Sequence, residues 1–216
     1  MKALEKNIAE RLLKIKAIKL QPNNPFTWAS GWKSPIYCDN RKTLSYPATR
    51  TYIKNSLVRT IMDIYPDVEV IAGVATGAIA QGTLVAAELG LPFIYVRSSP
   101  KDHGLENMIE GDLKPKQKVV VIEDLISTGG SSLKAVEAIR KDGSEVLGMV
   151  AIFTYGFQAA EDKFKNANVK LTTLSNYDAV LTEALATNYI DNLDLDTLRE
   201  WRMNPSAWKK FENFTT

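Results

Sequence analysis

The sequence predicts an open α/β fold, a mainly parallel sheet with flanking helices. Two observations carry that prediction. Short apolar runs, VEVIA (68–72), PFIYVR (92–97), KVVVIE (118–123), EVLGMVAIF (145–153) and VKLTTL (169–174), read as strands buried on both faces. Between most of them lie stretches of helical spacing, 79–89, 131–141 and 157–166, so the chain alternates as βαβ units do.

Each element has a local reason. Leu4, Ile8, Leu12 and Ile15 recur at helical steps, so the first segment is an amphipathic helix packed on the body of the protein. Residues 21–46, rich in Pro, Asn, Ser, Gly and aromatics without a sustained period, are expected to form turns or short strands. Ser45 is the expected N-cap of a second helix, with Pro47 in its first turn and Ile53, Leu57, Ile61 and Ile64 as its apolar stripe, ending before Pro66. Near the C-terminus Asp194 is the expected N-cap for the helix LDTLREWR. There is no internal repeat and no Gly/Ser/Pro-rich linker, so residues 1–216 are expected to form one domain. One connection departs from the pattern: where a crossover helix should lie, residues 98–117 are polar, the mark of a functional lid.

Composition narrows the function. With 45% hydrophobic and 24% charged residues, the chain falls in the globular class. Its single cysteine, Cys38, excludes an internal disulfide and a Cys-built zinc site, and its single histidine, His103, leaves little for an imidazole metal site. A net charge of +2 gives no general footprint for nucleic acid. Charges interrupt the N-terminal segment, so no signal peptide is expected, and a cytoplasmic address follows. The charge-free run 70–87 contains glycines, threonines and a glutamine and reads as strand, turn and helix rather than a membrane span.

The most informative motif is VVVIEDLISTGGS, 119–131. A buried strand ends in two carboxylates, Glu123 and Asp124, where ligands of open α/β sheets bind. Gly129 and Gly130 then bend the backbone toward a helix N-terminus, a seat for phosphate to which Ser127, Thr128 and Ser131 add hydroxyls. Carboxylates accept from vicinal hydroxyls and a phosphate cradle takes an anion, so a sugar phosphate satisfies both. No Lys follows the glycines, as a Walker A loop requires, and a G-x-G-x-x-G pattern is missing here. The alternative is a tight strand-to-helix turn carrying two solvated acids.

Along its whole length this segment resembles the phosphoribosyl pyrophosphate (PRPP) motif of type I phosphoribosyltransferases. The resemblance implies that Glu123 and Asp124 hold the ribose 2- and 3-hydroxyls and that Leu125, Ile126, Ser127, Thr128, Gly129, Gly130 and Ser131 wrap the 5-phosphate. Two further stretches resemble orotate phosphoribosyltransferases: FTWASGWKSPIYCDNR, 26–41, similar to that family's N-terminal signature, and YVRSSPKDHGLENMIEG, 95–111, similar to its mobile catalytic loop R-x-x-x-K-x-H-G. By this resemblance 21–46 is a hood in which the backbone around Tyr37 and Cys38 faces the pyrimidine, and Arg97, Lys101 and His103 are catalytic. Arg97 and Lys101 clamp the diphosphate, and His103 donates to it as it leaves.

The chain departs from many members by Ala29 and by Thr76 and Gly77, where those carry lysines, by Ser98 in place of a basic residue, and by the lack of an Arg in FTYGFQ. Ser127 and backbone amides are then the leading partners for orotate and its carboxylate, with Lys33 or Arg41 as alternatives. The implied cofactor is Mg2+ carried by PRPP rather than by protein ligands, and the implied assembly is a homodimer with shared sites, without nucleic acid or membrane. A purine-using type I phosphoribosyltransferase is disfavoured by the 26–41 signature, and a nucleotide-sensing RNA-binding regulator by the low net charge and the retained Lys101 and His103.

Overall fold

A computed structural model describes residues 3–99 and 108–208. The chain opens with α1 (Ala3–Lys14), the helix predicted from its apolar spacing, which buries Ile8, Ala9, Leu12 and Leu13. Four short strands follow, β1 (Ile18–Leu20), β2 (Phe26–Thr27), β3 (Lys33–Ser34) and β4 (Ile36–Cys38). β1 pairs antiparallel with β4, and β2 with β3, so the aperiodic segment is two small ribbons. A 3-10 turn (Asn40–Ser45) leads into α2 (Pro47–Ile64). The alternating part comprises β5 (Val70–Val74), α3 (Ile79–Leu89), β6 (Phe93–Val96), β7 (Ile109–Glu110), β8 (Lys118–Ile126), α4 (Gly130–Lys141), β9 (Glu145–Thr154), α5 (Gln158–Asn166) and β10 (Leu171–Asn176). Helices α6 (Tyr177–Ala186) and α7 (Asn192–Met203) complete the described chain. No helix among the described residues is long and apolar enough to cross a membrane.

The main sheet has the order β10, β9, β8, β5, β6, β7 and is parallel except for β7. Successive side chains of a strand face opposite sides, so β8 sends Val119 and Val121 toward α4 and α5 and Val120 and Ile122 toward the other helical layer. On the first side they meet Leu133, Val136, Ile139 and Phe164. On the second they join Leu12 of α1, Ile53, Leu57 and Ile61 of α2, Val85 of α3 and Val180 of α6. A strand sandwiched in this way has no solvent face, which is why its sequence is unbroken Val and Ile.

Three expectations are corrected. Ser45 closes the 3-10 turn instead of capping α2. The N-cap is Tyr46, which makes no side-chain capping bond, and Pro47 takes the first helical position, where its missing N–H leaves one donor fewer to satisfy. Asp194 is not the N-cap of α7. Asp191 is, and Asp194 closes a capping box: its amide donates to Asp191 Oδ1 at 2.8 Å while its own Oδ2 accepts from the Asp191 amide at 3.4 Å. The segment 98–117 is not uniformly loop, because β7 pairs antiparallel with β6 and Arg97 N donates to Met108 O at 2.8 Å. A strand with one buried side chain, Ile109, leaves no period in a sequence.

The hood and the C-terminal helix hold one another. Trp201 of α7 is fully buried, meets Trp28, Tyr155 and Phe157 edge-on at 5.6, 5.8 and 5.4 Å between ring centroids, and donates Nε1–H to Lys33 O at 3.2 Å. Trp28 donates Nε1–H to Ile36 O at 3.2 Å, fixing the β3–β4 corner. Trp201→Ala is expected to lower stability by about 3–5 kcal/mol, because it empties a fully buried site and strands a carbonyl, and chemical denaturation with an unchanged slope would measure it.

Candidate active site

Strand order creates the site. From β5 the chain moves outward to β6 on one side, whereas β8, β9 and β10 spread to the other, so the carboxyl ends of β5 and β8 border a topological switch point. Pairing between these strands ends at Gly73 and Ile122, but β8 continues along β9 as far as Ile126 opposite Thr154. Glu123 and Asp124 therefore project where β5 has already turned away.

A cleft of about 390 Å³ opens there. It is walled by Val74–Gly77 after β5, by Glu123–Leu125 and Ser127–Gly129 with Ser131 and Ser132 after β8, and by Cys38, Asp39 and Arg41 from the hood. A second cleft of about 420 Å³ shares Ala75 and Thr76 with the first and is lined on its far side by Tyr95, Arg97, Ser98, Ser99 and Glu110.

The two carboxyls occupy unlike environments. Glu123 is buried, accepts from Ser132 Oγ at 2.8 Å and from the Asp124 amide at 3.0 Å, and is pushed up to about 8, first by desolvation and then by the Asp124 charge. Asp124 is also raised by burial, but Arg41 opposes that shift. Its carboxylate lies against Gly77, so closely that a Cβ on residue 77 would overlap the carboxyl oxygens. The backbone of Asp124 is held from the hood, because Asn40 Nδ2 donates to its carbonyl at 2.5 Å. Cys38 reaches the same cleft, and burial with the Asp124 and Asp39 charges pushes its thiol well up, so it is a neutral contact and not a nucleophile.

Beyond the carboxyls the chain makes its turn at Gly129. Its φ of 74° is left-handed, and a Cβ there would press on the Phe164 ring, so two independent constraints demand glycine. Helix α4 begins at the next residue, so its N-terminus lies beside Thr128 and Ser131 at the cleft. Lys163 secures the turn by donating to Thr128 O at 3.1 Å.

The structure brings most of the sequence-predicted residues together, though not all. Glu123, Asp124, Leu125, Ser127, Thr128, Gly129, Ser131 and Cys38 line the first cleft, and Arg97 lines the second, 3.6 Å from Glu110. The Ile126 side chain points into the core, fully buried, and its carbonyl accepts from Tyr155 N, so at most its neighbours reach a ligand. Gly130 starts α4 without lining the cleft. Tyr37 is exposed beside the Phe26 ring at 5.5 Å, and Lys33 binds Thr27 Oγ1 at 2.9 Å; neither lines the cleft. Lys101 and His103 lie outside the described residues.

Sequence reasoning missed Asn40, Ser132 and Asp39. Only Ser132 left a signal, as the second serine of the Ser-Ser pair one turn into α4, where a hydroxyl reaches back to the strand end.

The model of the phosphoribosyl transferase domain matches residues 50–185. The chain is 68% identical over 208 residues to the orotate phosphoribosyltransferase of Bacteroides thetaiotaomicron, covering 96% of this chain and 98% of that one. It is 69% identical over 208 residues to that of Porphyromonas gingivalis, covering 96% and 99%. Among solved structures, the orotate phosphoribosyltransferase from Aeropyrum pernix has a TM-score of 0.73 at 28% identity, covering 82% of this chain and 97% of that one.

The raised Glu123 has a thermodynamic consequence. A carboxyl whose folded value exceeds its unfolded one binds a proton more tightly when folded, so its contribution is present at low pH and is lost as pH rises from 4.5 to about 8. Glu123→Gln removes that loss. The melting temperature of the variant relative to the native protein is expected to climb across that window and level off above it, as scanning calorimetry at several pH values would record.

Proposed function

Because the chain belongs to the orotate phosphoribosyltransferases, we propose that the cleft between β5 and β8 holds PRPP by its ribose and 5-phosphate, with orotate beside it under the hood. The enzyme joins orotate to PRPP, giving orotidine 5-monophosphate and pyrophosphate in pyrimidine biosynthesis. The observation that carries the placement is the meeting of two carboxyls with a helix N-terminus in one cleft. The same cleft offers acceptors for hydroxyls and donors for an anion.

Asp124 accepts from one ribose hydroxyl. Glu123, largely protonated near neutral pH, both accepts and donates, so the vicinal diol is bound without two full negative charges beside a phosphate. The amides and hydroxyls of Ser127, Thr128 and Ser131 hold the 5-phosphate, helped by the α4 dipole. Orotate lies against Cys38 and Ser127. The bond from C1 to the diphosphate breaks with its electron pair going to pyrophosphate, and the base nitrogen forms the new bond to C1 as its proton is released. Charge therefore accumulates on the leaving group, and the protein acts mainly by positioning and neutralisation. Arg97 lines the adjoining cleft and would neutralise that group, a role assigned also to Lys101, while His103 would donate a proton or hydrogen bond to it.

Among the described residues no three His, Cys, Asp or Glu side chains come together as a metal cage. Hard oxygen donors in small number suit Mg2+, which keeps part of its shell on water and substrate phosphates. The ion would arrive bound to PRPP oxygens near Asp124 and supply neutralisation of the pyrophosphate. Both substrates are anionic metabolites handled in the cytoplasm, and no nucleic acid or membrane is needed for the reaction.

The assembly we propose is a homodimer in which the segment containing Lys101 and His103 serves the neighbouring subunit's site. Exposed Tyr37 and Tyr46, on either side of the 3-10 turn, supply apolar surface for such a contact.

PRPP-dependent loss of orotate absorbance, with pyrophosphate released in equal amount, tests the reaction, and a folded protein that consumes a purine and not orotate would overturn it. Lys101→Ala and Asp124→Asn are each expected to be nearly inactive and to regain activity when mixed and allowed to exchange subunits, since some hybrid sites are intact. No recovery despite exchange proven by mass spectrometry would refute shared sites.

A further inference from the structure

We infer that Arg41 is the residue that selects a carboxylate-bearing pyrimidine, by pairing with the substrate's carboxylate at the hood side of the cleft. The inference rests on the proposed placement of PRPP and orotate and deepens it.

Among the described residues lining the first cleft, Arg41 is the sole lysine or arginine. An anionic ring placed between the ribose carboxyls and the hood meets Asp39, Glu123 and Asp124 on the acidic side, so a cationic donor is needed to make that position favourable. Lys33, the other basic residue of the signature, is committed elsewhere: its Nζ donates to Thr27 Oγ1 within the β2–β3 ribbon, and it does not line the cleft.

The geometry of Arg41 suits the role. Asp39 Oδ1 accepts from Arg41 Nε at 2.8 Å and from its amide at 3.2 Å, so one carboxylate fixes both the backbone turn and the guanidinium orientation. That contact uses Nε and leaves the outer edge, both Nη atoms, without a hydrogen-bond partner among the described residues. A planar carboxylate is matched by this edge, two parallel N–H···O bonds to two oxygens. Arg41 lines the same cleft as Asp124, and the two opposite charges act on one another there. Lysine cannot substitute, because a point charge on a flexible stem reproduces neither the Asp39 bond through Nε nor the paired edge.

The test uses Arg41→Gln and Arg41→Lys in the full chain, with orotate and PRPP varied separately and uracil, which lacks the carboxylate, as the comparison base. The expected result for Arg41→Gln is a KM for orotate raised about tenfold to a hundredfold, the range for loss of a charge-assisted pair, with KM for PRPP within about twofold of the native value. Binding of orotate in the presence of pyrophosphate, followed by calorimetry, should weaken by the same factor. Use or binding of uracil should be unaffected, so the preference for orotate collapses. Arg41→Lys should recover little of it. An unchanged orotate KM, or a rise in the PRPP KM alone, would overturn the assignment while leaving the enzyme an orotate phosphoribosyltransferase. Native protein that fails to consume orotate with PRPP would instead overturn the reaction, and the role of Arg41 with it.

Discussion

The site depends on one electrostatic constraint, a carboxyl buried at the end of a central strand. Glu123 emerges where β8 outruns β5, too deep for water to solvate it fully, and its oxygens are met by Ser132 Oγ and the Asp124 amide. Burial raises its proton affinity, and the Asp124 charge next door raises it further. If both were fully ionised, their repulsion would go largely unscreened at this depth. The fold keeps two acids adjacent by giving them different surroundings, as paired carboxyls with divided roles require.

The neighbouring glycines follow from the same constraint. Asp124 can turn toward the cleft only if residue 77 has no side chain, because a Cβ there would take the space of the carboxylate. Any larger residue at that position would need Asp124 or the β5–α3 turn to move. Gly129 in turn is demanded by the left-handed bend and the Phe164 ring together. The turn after β8 is therefore anchored from beneath by Phe164 of α5 as well as from above by its own backbone.

The hood belongs to the site although it lies far away in the chain. Asn40 ties it to the Asp124 carbonyl, Trp28 ties it to Tyr155 just past β9 and to Trp201 of α7, and Arg41 lines the cleft from it. An N-terminal segment without regular period is held in place by a C-terminal helix and by a polar bond to the central strand, so its loops can contribute side chains to a rigid frame.

By itself the sequence determined the layered α/β architecture and the ribose-phosphate motif. Both are local: buried strands read as runs of Val and Ile, and the motif places carboxyls, glycines and hydroxyls within one strand, turn and helix. The cap of α7 was misplaced because Asp191 and Asp194 are both good caps and only the backbone angles decide between them. Strand β7 left no pattern because a pair of residues held by backbone hydrogen bonds needs no particular side chains. Only the tertiary structure decided that Ile126 faces the core while its neighbours face the cleft, that Lys33 is occupied by Thr27, that Asn40 binds the Asp124 carbonyl across eighty-four residues of chain, and that Arg41 lines the same cleft as Asp124. The physical reason is that burial and charge pairing are properties of surroundings assembled from several elements, and no window of sequence contains them.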